Sequence, residues 1–77
     1  MAQVFFHCSN ATRVMVDPRG NDVDNLIEAH EQAACVVRRC LAAPTLEDWR
    51  EWTLHVSDVD GREIFSLPFA SVLGSPH

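Results

Sequence analysis

Apolar residues cluster in a short run near the N-terminus, recur at helical spacing in the middle, and alternate with polar ones near the C-terminus. Gln3-Val4-Phe5-Phe6-His7-Cys8 is short and rich in β-forming residues, which predicts a strand. Ser9, Asn10 and Ala11 supply a turn, and Thr12-Arg13-Val14-Met15-Val16 the returning strand. Asp17-Pro18-Arg19-Gly20-Asn21 ends it, because proline has no N–H for a ladder and glycine tolerates a positive φ.

A helix is predicted from about Leu26 to Leu41. Asn25 is a good N-cap with Glu28 three residues on, the spacing of a capping box. At about 100° per residue, Leu26, Ala29, Ala33, Val36, Val37, Cys40 and Leu41 share one side. Glu28, Glu31, Gln32, Cys35, Arg38 and Arg39 lie opposite. Asp22 and Asp24 complement the positive end of the helix dipole, Arg38 and Arg39 the negative end, and Pro44 prevents much continuation.

After a linker over residues 44–51, Trp52-Thr53-Leu54-His55-Val56-Ser57-Asp58 alternates apolar and polar residues, the pattern of a strand with one buried face. Asp60-Gly61 predicts a two-residue type I′ hairpin into Glu63–Leu67, and Pro68 closes that strand. Residues 69–73 suit a short helical turn, and the tail 74–77 is expected to fray. The order is β-β-α-β-β, an α+β fold: a four-stranded, mostly antiparallel sheet with the amphipathic helix on one face. Val4, Phe6, Val14, Val16, Trp52, Leu54, Val56, Phe65 and Leu67 are expected under the helix. Phe5, His7, Met15, Thr53, His55 and Ile64 are expected on the uncovered face.

Length restricts the chain to one domain, residues 1–77, with an ordered core of about 3–70. A chain this short buries only about 60% of its unfolded surface, which makes self-association worth considering. The apolar fraction of 47% and charged fraction of 22% are those of a globular protein. The net charge is −5, and all six basic residues are arginine. That balance disfavours nucleic-acid binding, which needs a basic surface. No apolar run approaches the roughly 20 residues of a membrane span. No signal peptide is read, and three cysteines without an export signal point to free thiols in a cytoplasm.

Val4-Phe5-Phe6-His7, the turn from Asp17 to Gly20, the helix opening Asn25-Leu26-Ile27-Glu28-Ala29, and the run from Trp52 through Asp60-Gly61-Arg62 to Leu67-Pro68-Phe69 occur in that order. Together they resemble a bacterial family of small uncharacterised domains found in rhizobia and related proteobacteria. The resemblance spans nearly the whole chain and implies this fold in a bacterial cytoplasm. It implies no activity and no catalytic residue. His55 stands where such relatives often carry an acidic residue, and His30 where arginine is usual, so roles for these two would be particular to this chain.

His7 and His55 on one sheet face suggest two imidazole ligands for Zn²⁺ with a carboxylate as third. The plainer reading is two half-exposed histidines bonded to neighbours or to a dimer partner. His30 suits either a pH-sensitive group or a packed ring at the edge of the apolar stripe. Cys35 and Cys40 lie about 140° apart around the helix and cannot pair; Cys8 and Cys40 read as core, Cys35 as exposed. Asp58-Val59-Asp60-Gly61 resembles the start of a calcium loop but lacks its spacing and closing glutamate. Ser57, Ser66, His55 and Asp58 form no known hydrolase pattern, and three glycines cradle no phosphate. Trp52 reads as core, and Trp49 as a lid over the end of the helix.

These readings predict a non-enzymatic protein-interaction domain, homodimeric or bound to another protein, that uses the uncovered face. A small-ligand or metal-binding module through His7 and His55 is the alternative, and a nucleic-acid-associated regulator a weaker one. No catalytic residue and no cofactor are assigned.

Overall fold

The computed structural model describes residues 2–73; the expected frayed tail, 74–77, lies outside them. The elements are β1 (Ala2–Ser9), β2 (Val14–Met15), β3 (Asn21–Val23), α1 (Leu26–Ala42), a 3₁₀ turn (Trp49–Glu51), β4 (Thr53–Ser57), β5 (Glu63–Pro68) and α2 (Phe69–Leu73). The fold is α+β, an open antiparallel sheet of five strands with one main helix. β4 and β1 are central, β5 is one edge, and β2 and β3 share the far side of β1.

The helix begins as its sequence dictates. The Asn25 side chain accepts the Glu28 N–H at 2.8 Å, and Glu28 accepts the Asp24 N–H at 3.1 Å. It ends at Ala42; Ala43, before Pro44, is extended at φ −66° and ψ 139°. Ala29, Ala33 and Val37 pack on Val4, Phe6, Cys8, Leu54 and Val56, with Trp52, Phe69 and Val23 completing the core. Small residues at Ala29 and Ala33 let the helix approach the sheet closely. At the far end Trp49 stacks on Phe69, centroids 5.4 Å apart, and tilts against Trp52 at 5.1 Å. Its buried indole N–H has no hydrogen-bond partner among the described residues. Glu47 ties the preceding loop down by accepting from Trp52 Nε1 at 3.2 Å and pairing with Arg13, whose guanidinium lies over the Trp52 ring.

Several expectations are corrected. The returning strand is only two residues long. It pairs Met15 with Cys8 and Val14 with Ser9, so Met15 lies on the helix side and Val14 on the other, the reverse of the alternation read from sequence. A one-residue shift of register exchanges faces. Val14 and Val16 are exposed rather than under the helix, because β2 lies beyond the helix's reach at the sheet edge. Leu26, placed on the buried stripe, is 55% exposed in the first helical turn. Asn21–Val23, read as turn, is a third strand, and its Val23 belongs to the core.

The second hairpin is also different. Only Gly61 has positive φ, at 82°, whereas type I′ needs two such residues. Gly61 N–H donates to Asp58 O and Asp58 N–H to Arg62 O, which makes a three-residue loop. The Asp58 carboxylate accepts from Asp60 and Arg62 N–H groups, an internal turn bond rather than a cation site. Beyond it β5 bulges: Val56 faces Phe65 but Ser57 faces Glu63, so Ile64 is the extra residue. Glu63 takes the uncovered face, and Ile64 turns to the helix side.

Candidate functional site

The uncovered face is built from alternate residues of three strands. Phe5, His7 and Ser9 come from β1, Thr53, His55 and Ser57 from β4, and Glu63 and Ser66 from β5. Of the residues expected there, Phe5, His7, Thr53 and His55 are present and half-buried. Met15 and Ile64 are absent, for the register reasons above. The face is therefore more polar than the alternation implied.

His7 and His55 are direct cross-strand partners, and their hydrogen bonds assign opposite tautomers. His7 Nδ1 accepts the Asp17 backbone N–H at 3.1 Å. In the neutral ring the hydrogen then sits on Nε2, a donor. His55 Nδ1 lies 2.7 Å from the Glu63 carboxylate and His55 Nε2 lies 2.9 Å from Ser9 Oγ. In the neutral ring Nδ1 therefore carries the hydrogen, and Nε2 accepts from the serine. Solvent reaches this array: the side chains of His55 and Glu63 are 34% and 53% exposed. Phe5 lies parallel to His7, with centroids 6.2 Å apart.

Asp17 supports His7 from the neighbouring loop. Between β2 and β3 the outer edge of β1 has no strand partner, and there Asp17 Oδ2 accepts the Phe6 N–H at 3.2 Å. Its Oδ1 accepts from Arg19 and Gly20 N–H groups, each at 3.1 Å. Partial burial pushes the Asp17 carboxyl up, but the N–H groups of Gly20, Phe6 and Arg19, with His7 nearby, outweigh it and hold it below its ordinary value.

Among the described residues no group of three or more His, Cys, Asp or Glu side chains is placed to hold a metal ion. The three thiols differ in exposure. Cys8 is buried, Cys40 half-buried and Cys35 exposed. Burial, then Cys40 and Asp17, pushes the Cys8 thiol up to about 11, and burial also raises Cys40 despite Arg39. His30 stacks on Phe65 at 3.8 Å between centroids. No described helix is long and apolar enough to cross a membrane.

Among the described residues, hollows open on the helix side. One, of about 550 Å³, is lined by polar and apolar groups including Asp17, Asn21, Gln32, Cys35 and Arg39. A second, of about 160 Å³, is almost wholly apolar, lined by Ala2, Val4, Val23, Leu26, Ala29 and Ile64. The sequence did not indicate the second, because it requires the bulge that turns Ile64 toward the helix. Nor did it indicate Ser9, read as turn, or Glu63, read only as the first residue of the last strand. Phe5-His7-Ser9 continues one alternation, and that is the signal that could have found the serine.

The chain belongs to a family described as a domain of unknown function, DUF6894, whose model matches residues 3–70. No curated protein and no solved structure matches significantly.

Proposed function

We propose that this member of the DUF6894 family is a protein-interaction domain, and that its partner is a second copy of itself met at the apolar groove beside the start of α1. The carrying observation is that Leu26 and Ile64, which line that groove, are 55% and 43% exposed, and that Ile27, the neighbour of Leu26 in the first turn of α1, is 72% exposed. Aliphatic groups standing beside an apolar hollow suit a two-fold contact, in which each copy presents the same projections and the same recess. A small domain gains most from such burial, since its own core is limited. The uncovered sheet face fits this role less well once Met15 and Ile64 leave it. A bacterial cytoplasm suits the reading, because it keeps three unpaired thiols reduced.

Sedimentation equilibrium at high micromolar concentration tests the reading. A dimer is expected, converted to monomer by Ile27→Glu or Ile64→Glu and retained in His7→Ala. A wild-type monomer at that concentration, or a dimer that His7→Ala dissolves and Ile27→Glu does not, would sink it.

A further inference from the structure

The geometry points to Ser9, His55 and Glu63 as a serine acyl-transfer site on the uncovered sheet face, acting on small carboxylic esters. The sequence alone predicts no enzyme, since it groups no nucleophile, base and stabiliser. Folding brings them together from three strands. Ser9 Oγ lies 2.9 Å from His55 Nε2, and His55 Nδ1 lies 2.7 Å from Glu63 Oε1. Each ring nitrogen thus has the partner a nucleophile–base–carboxylate array requires. The carboxylate fixes the tautomer that leaves Nε2 free to take the serine proton.

The bulge at Ile64 is what makes the array. Without the extra residue, strict alternation would put Glu63 on the helix side, away from His55. His7 adds a further element. It faces His55 across the ladder and precedes Ser9 by two residues on the same face. Its Nδ1 is occupied by the Asp17 N–H, so its Nε2–H is the donor available to a carbonyl oxygen as negative charge develops there. The face is open to solvent and mostly polar, which favours a small ester over an extended chain.

In the step itself, Ser9 Oγ forms a bond to the ester carbonyl carbon while its proton passes to His55 Nε2. The carbon–oxygen bond to the alcohol breaks, and the alcohol leaves with that proton. Water then attacks the acyl-serine by the same route, releasing the carboxylic acid and restoring Ser9. Ester and water become acid and alcohol, with no other reactant.

A fluorophosphonate is the probe: Ser9 Oγ bonds to phosphorus, and the phosphorus–fluorine bond breaks. Intact-protein and peptide mass spectrometry should show one adduct, on Ser9, absent in Ser9→Ala. Labelling should slow by about a hundredfold in His55→Gln, the scale of a lost general base. Glu63→Gln, a positioning variant, should slow labelling and change the pH at which its rate levels off, with circular dichroism unchanged. If His55→Gln fails to fold, the wild-type pH–rate profile decides: a rise to a plateau through one ionisation supports the site. No adduct, an adduct elsewhere, a His55→Gln rate equal to wild type or a pH-independent rate overturns it.

Discussion

Asp17 and His7 hold one another through the Asp17 backbone N–H, which donates to His7 Nδ1 at 3.1 Å while the Asp17 carboxylate accepts from Phe6. One loop residue thereby fills the gap between two short strands and sets the tautomer of a histidine on the uncovered face. Asp17→Ala should strip acceptors from three backbone N–H groups, two of them part-buried, at a cost of about 2 kcal/mol in urea unfolding. The carboxyl is held below its ordinary value of 3.8, so the folded state prefers it charged. Its contribution is complete above the unfolded value and lost as pH falls through the lower folded value. Acid titration should therefore narrow the gap between wild type and Asp17→Ala below about pH 4.

The two left-handed glycines should respond differently to alanine. Gly61 has φ +82° with open space around it, so Gly61→Ala should cost about 1 kcal/mol, the backbone penalty alone. Gly20 has φ +75°, and a Cβ there would lie 2.9 Å from both the Phe5 ring and Val4 O. Gly20→Ala adds a steric penalty to the conformational one and should cost about 3 kcal/mol. Equal losses for the two variants in urea titrations would contradict the tight contact.

Register can be tested by truncation. Leu54 is fully buried, and Leu54→Ala should cost about 3 kcal/mol through lost transfer energy and a cavity. Val14, which alternation alone would bury, is 65% exposed, and Val14→Ala should change stability by less than about 0.5 kcal/mol. A large loss at Val14 would favour the alternation over the observed pairing with Ser9.

The thiols should separate by reactivity. At pH 8 an aromatic disulfide reagent should modify Cys35 quickly, because it is exposed. It should leave Cys8, pushed up to about 11 by burial, and the half-buried Cys40 largely unreacted until denaturant is added. Rapid reaction of all three in native protein would contradict the packing of α1 against β1.

What the sequence made legible follows from how local each signal is. Helix α1 was readable because its cap and its apolar spacing are contained in one segment, from Asn25 to Leu41. The central strands were readable because β1 is dense in β-forming residues and β4 alternates strictly. Val14, Met15 and Ile64 were misplaced because their facing depends on register and on a bulge, which only pairing with other strands decides. β3 was missed because one apolar residue in Asn21-Asp22-Val23 gives no period, and its strand geometry comes from β1. The same reasons divide the site: His7 and His55 lie on regular strands, whereas Ser9 was hidden in a turn assignment and Glu63 behind the bulge.

The bulge in β5 has a second consequence, for growth of the sheet beyond its own border. β5 is the edge strand, with one side of its backbone open to another chain. An extra residue at Ile64 distorts that edge, Glu63 places a charge at its start, and Pro68 removes a donor at its end. A second strand offered to this border meets a bent and partly disarmed template, so the same irregularity that aligns a carboxylate with His55 guards the chain against fibre formation.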